Sequence, residues 1–239
     1  MLLSLLLPAE FPDTFAAVDR NEIASLLQLE WRLDRRQKHA WGSLALYVVS
    51  TVYTCHLGVK RLSTVATWNA LFWIILLFAA FNALARSFQR EDGGRQLYLH
   101  TLAHPRNVVL ARTLYNAVTL VLLSLISLAT YVLFIGDRAL AEADMGLFIA
   151  TMLLGAIGLA CTLTLIAAIA ARAGSGPGLM AILGFPIVLP LLLATLRASK
   201  LALDGVAWST VSNYLLAIGA LDVLAVSLSA ILFPYLWRD

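Results

Sequence analysis

The chain predicts an all-α, polytopic membrane protein. Three observations carry that expectation. First, 61% of its 239 residues are hydrophobic and only 13% are charged, against about half and about a quarter in a soluble domain. Second, several uncharged runs reach the roughly 20 residues that a helix needs to cross a bilayer. Third, those runs lack the period-two alternation of a membrane-spanning strand. The mean hydropathy of +0.84 agrees. Six such runs use most of the chain, so residues 21–239 are expected to form one six-helix domain.

The opening stretch stands apart. MLLSLLL is apolar but has no basic flank, and Pro8, Glu10, Pro12 and Asp13 follow at once. That does not resemble a cleaved signal segment. Residues 1–20 are expected to be a disordered extension.

From Asn21 to Lys38 apolar residues recur at Ile23, Leu26, Leu27 and Trp31, which is helical spacing. Arg32, Arg35, Arg36 and Lys38 follow. The pattern predicts an amphipathic helix in the headgroup layer, its cations near anionic lipid.

The expected spans are residues 41–59, 67–85, 108–135, 145–171, 178–196 and 211–237. Trp41, Trp68, Trp208 and Trp237 mark span ends, as in an aromatic belt. Lysine and arginine give the orientation. With the N-terminus cytoplasmic, Arg20, Arg32, Arg35, Arg36, Lys38, Arg86, Arg90, Arg95, Arg106, Arg112, Arg172 and Arg238 all fall inside. Only Lys60, Arg61, Arg138, Arg197 and Lys200 remain outside. That bias predicts both termini on the cytoplasmic side.

The fourth run carries Gly155 and Gly158 beside Ala156 and Ala160, a surface that suits close helix contact within or between subunits. The fifth carries Pro186 and Pro190. Each removes a backbone donor and crowds the carbonyl four residues back, so a kink is expected there. It serves packing or flexes during transport.

Candidate chemistry is sparse. A phosphate-binding loop needs Gly-Lys-Ser/Thr. The lysines, Lys38, Lys60 and Lys200, follow Gln37, Val59 and Ser199. Any ATP must therefore be bound by another chain. His100 and His104 are four apart but lack the glutamate of a metalloprotease helix, and no metal site is expected. Cys55 and Cys161 lie inside apolar runs, as buried thiols do. No cluster of acids, histidines or a nucleophile with its base suggests an intramembrane enzyme. Asp222 lies well inside the last span, where an acid is costly and marks a functional candidate. It is expected to bind a proton or to accept a hydrogen bond, with Asn116 or a hydroxyl as donor. A proton-coupled secondary transporter working through Asp222 is the alternative reading of the whole chain, although such proteins often show two related halves and no repeat is evident here.

Between the second and third spans lies the longest polar interruption, 87–112. It contains Glu91, Asp92, Gly93 and Gly94, then an amphipathic piece at 96–103 with Leu97 and Leu102, then Pro105. This piece is expected to be either a solvated loop or a short helix along the membrane face that enters a groove on a soluble partner.

Several motifs, in order, carry a resemblance. They are Leu29-Glu30-Trp31-Arg32 before the first span and Glu91-Asp92-Gly93-Gly94 with Leu97 and Leu102 after the second. Val109-Leu110-Ala111-Arg112 enters the third, and LGFPIVLPLLLA forms the fifth. From about residue 22 to its end the chain resembles the CcmB family, haem-exporter permeases of cytochrome c maturation. The resemblance implies an ABC-2-type permease with six spans, an N-terminal interfacial helix carrying Glu30, Trp31 and Arg32, and a cytoplasmic coupling helix between spans two and three. It implies a CcmA-type ATPase partner, a CcmC-type haem-handling subunit, a CcmE-type haem chaperone and two permease copies in a bacterial inner membrane. ATP and haem would sit on those partners. The tryptophan-rich haem motif of the CcmC type is absent, which favours a role in releasing the loaded chaperone over passing haem through the bundle.

Overall fold

The computed structural model describes residues 20–36, 38–58, 64–89, 104–136, 140–173 and 176–238. Their regular structure is helical. The seven long helices are α1 (Arg20–Arg36), α2 (Lys38–Gly58), α3 (Val65–Gln89), α4 (Pro105–Ile135), α5 (Met145–Arg172), α6 (Gly176–Leu203) and α7 (Trp208–Arg238). Residues 1–19 and the predicted coupling helix at 96–103, with Glu91, Asp92, Gly93, Gly94, Leu97 and Leu102, lie outside the described residues.

Among the described residues five helices are long and apolar enough to cross a membrane: Val65–Arg86, Arg106–Ile135, Met145–Arg172, Gly178–Leu203 and Trp208–Phe233. The apolar run at 41–59 falls on α2. That helix is diluted by Ser43, Ser50, Thr51, Thr54 and His56 and is not among the five. Three of its hydroxyls bond to its own backbone, while that of Ser43 accepts from the Arg86 guanidinium of α3. Ser50 and Thr51 donate to the Tyr47 carbonyl at 3.0 and 2.7 Å, and Thr54 donates to that of Ser50 at 2.8 Å. A hydroxyl tied in this way costs less in an apolar setting.

Local chemistry sets the helix ends. Pro105 occupies the first turn of α4, where its missing donor is not needed. Gly136, with φ of 98°, ends that helix by sending its N–H to the Val132 carbonyl at 3.0 Å. Asp144 caps α5, its carboxylate accepting from the Leu147 N–H at 3.0 Å. The Asp144 N–H in turn donates to the Ala202 carbonyl at 2.9 Å, which ties the start of α5 to the end of α6.

The core is built around α5. It is apolar on every side and mostly buried, as a central helix must be. It packs against α3, α4, α6 and α7, while α1 packs chiefly on α4. The small residues of α5 receive side chains of the same chain. Gly155 leaves room for the Trp73 ring and Thr195, and Gly158 for Leu191 and the Asp222 carboxylate. A Cβ at either position would collide with them.

One expectation is corrected by the packing of α3. Trp68 is not an interfacial belt residue. It is only 3% exposed. It stacks on Phe72 and sends its indole N–H to the Gly136 carbonyl at 3.3 Å. Buried rings around it supply enough contact to hold it inside. α6 runs as one helix through Pro186 and Pro190. Both are exposed, on the side away from the core.

Candidate functional site

In α1 the residues Glu22, Ile23, Leu26, Leu27, Glu30, Leu33 and Asp34 recur at three- and four-residue steps and share one face. That face is half-buried, while Ala24, Ser25, Gln28, Leu29, Trp31 and Arg32 are exposed. The stripe is therefore not simply a lipid-facing one. Leu26 packs against Val108 and Val109 of α4, Ala168 of α5 and Phe233 of α7. Beside this contact run three carboxylates.

Glu22 accepts from the backbone N–H of His104 at 2.8 Å and from the Asn107 side-chain amide at 2.5 Å. Glu30 lies 3.8 Å from the Arg112 guanidinium. Asp34 accepts from the Tyr115 hydroxyl. The pairs follow the same order along both helices, so α1 and the first turns of α4 run side by side in one direction. Arg112 is 4% exposed. A guanidinium withdrawn that far from water needs an anionic partner, and Glu30 supplies it. Glu30 thus faces α4, whereas Trp31 and Arg32 face away from the bundle.

Farther along α4 the polar groups are neutral. The Asn116 amide donates to the Thr164 hydroxyl of α5 at 2.9 Å. The expected bond from Asn116 to Asp222 is not formed. Neither carboxylate oxygen of Asp222 has a hydrogen-bond partner among the described residues, although the residue is only 8% exposed. It is set in the notch left by Gly158. The Asn82 amide of α3 donates to its own helix at the Phe78 carbonyl, 2.9 Å away.

A second polar group joins α3 to α6. The Ser199 hydroxyl donates to Asn69 Oδ1 at 2.8 Å and accepts from Trp73 Nε1 at 2.9 Å. The Asn69 amide donates to the Leu196 carbonyl at 2.9 Å. Among the described residues no three His, Cys, Asp or Glu side chains converge as metal ligands would.

Glu22, Asp34, Asn107 and Tyr115 escaped the sequence reading. Their spacing was visible: Glu22, Glu30 and Asp34 are eight and four apart, on one helical face. Nothing in the sequence said that this face meets protein.

Helices long and apolar enough to cross a membrane, packed around a buried central one with a charged helix bound to one end, make this a polytopic all-helical membrane protein. Residues 21–236 match the family model described as CcmB protein, and the chain belongs to that family. It is a membrane permease of the ABC class, of a family that serves haem transport and c-type cytochrome biogenesis. No curated protein matches the chain.

Proposed function

We propose that this chain is the non-enzymatic membrane subunit through which a separate CcmA-type ATPase drives haem export or the release of a haem-loaded CcmE-type chaperone. A CcmC-type subunit handles the haem, and two permease copies serve each complex. In this reading α2 is the first of six spans, both termini are cytoplasmic and the membrane is the bacterial inner membrane. Residues 21–239 act as one domain. ATP and haem reside on the partners, and Pro186 and Pro190 give α6 room to bend. Glu91, Asp92, Gly93, Gly94, Leu97 and Leu102 meet the ATPase, with Leu97 and Leu102 as the apolar anchors of a helix in its groove.

The observation that supports the reading best is the family match over residues 21–236. The binding of α1 to the foot of α4 agrees with it. The segment leading into α4 ends at His104, whose N–H is the first group held by α1. Force applied to that segment would reach α4 at its braced end.

The test is the double substitution Leu97→Asp and Leu102→Asp. The protein should still enter the membrane, but ATP hydrolysis by the co-purified ATPase should no longer support c-type cytochrome formation. Full activity of that variant would overturn the coupling assignment. The Asp222 carboxylate, without a hydrogen-bond partner among the described residues, favours a second reading, a proton-coupled transporter. That reading requires activity without any ATPase and its loss in Asp222→Asn.

A further inference from the structure

We infer that the carboxylates of α1 form a register-setting ladder on α4, so that α1 and the foot of α4 move as one lever. The inference rests on the proposed coupling role only for its effect on activity. The physical case is local. The apolar contact of α1, centred on Leu26 against Val108, Val109, Ala168 and Phe233, is non-directional. Such a contact holds a helix in place but tolerates sliding and rotation. The polar pairs remove that freedom. Glu22 grips the backbone at His104 and the Asn107 amide. Eight residues on, Glu30 meets Arg112. Four further, Asp34 meets Tyr115.

A shift of α1 by one residue would turn each carboxylate away by about 100°. It would leave the buried Arg112 without Glu30. Setting register is the best-attested use of a buried ionic group. Here it is applied to two helices of one chain that run in the same direction. Glu22, Glu30, Asp34, Asn107, Arg112 and Tyr115 are thus positioning residues. They fix where α1 stands relative to the end of α4.

The experiment uses the full-length chain in membranes with its co-expressed partners, and with Cys55 and Cys161 replaced by alanine. Leu26→Cys and Val109→Cys are added, and a short bismaleimide reports whether α1 holds its place on α4. Arg112→Glu alone and Glu30→Arg alone should each lower the cross-link yield about fivefold. The two together, which exchange the charges, should restore it. Tyr115→Phe removes one rung and should lower the yield about twofold. Formation of c-type cytochrome should follow the same order. Single variants that cross-link like the parent, or a charge exchange no better than either single change, would overturn the ladder. The cross-link needs no ATPase. If its yield falls and recovers as stated while cytochrome formation stays constant, the ladder stands and the coupling role falls.

Discussion

Between α3 and α6 the buried polar groups are neutral and answer one another: Ser199 serves both Asn69 and Trp73, and Asn69 also reaches the Leu196 carbonyl. Between α1 and α4 they are charged and sit beside an apolar contact, with Glu30 still 22% exposed at its side chain. The first arrangement costs little in a dry interior because no charge is desolvated and each hydrogen bond is made. The second suits the edge of the molecule, where water reaches one partner and a charge pair sets position more than it adds stability. The α3–α6 contact thus belongs to the permanent frame. The α1–α4 contact is an attachment whose loss leaves the frame standing.

The largest effect on the frame is expected at Trp73. Its ring is 1% exposed and fills the space above Gly155. Trp73→Ala should cost about 3 kcal/mol through the cavity it leaves. It should lower the midpoint of unfolding in mixed micelles for the whole bundle. Ser199→Ala should cost about 2 kcal/mol, because it strands Asn69 Oδ1 and Trp73 Nε1 in an apolar setting, and the same measurement reads it. Tyr115→Phe should cost about 1 kcal/mol. Its effect should show as faster proteolysis within α1, with the bundle midpoint unchanged. Asp222→Asn comes last. The amide has the shape of the carboxyl and carries no charge, so it should leave the midpoint within about 0.5 kcal/mol of the parent or raise it. A drop of the bundle midpoint in Tyr115→Phe as large as that in Ser199→Ala would erase the distinction between frame and attachment.

The helices were legible because long uncharged runs admit little else, and because Pro105, Gly136 and Asp144 mark their ends in plain chemistry. The run on α2 was legible as a helix. Its serines, threonines and His56 keep it from standing with the other five by composition. Partners were not legible. The period of Ile23, Leu26 and Leu27 says that one face of α1 is covered, but lipid and protein make the same apolar demand. Nothing in the sequence around Glu22 and Asp34 points to Asn107 and Tyr115, which stand opposite them. Asn116 was one of the donors expected for Asp222, beside a hydroxyl, because both residues are polar and both lie within spans. The structure gives Asn116 to Thr164, and only the relative rotation of packed helices decides that choice. Trp68 shows the same limit, since a tryptophan near a span end sits in the belt or in the core according to its neighbours.

The central place of α5 bears on how the protein is made. Helices enter the membrane in the order of synthesis, and α5 follows α1, α2, α3 and α4. Until it arrives, Trp73 has no glycine seat and Phe72 lacks Phe148, the α5 member of its aromatic cluster. A nascent chain that has inserted its third and fourth helices but not its fifth has helices that touch through Tyr131 and Trp68 but enclose nothing. Arrival of the fifth helix turns separate inserted rods into one body. A quality-control protease that acts on loose helices would thus have its window before that moment and little opportunity after it.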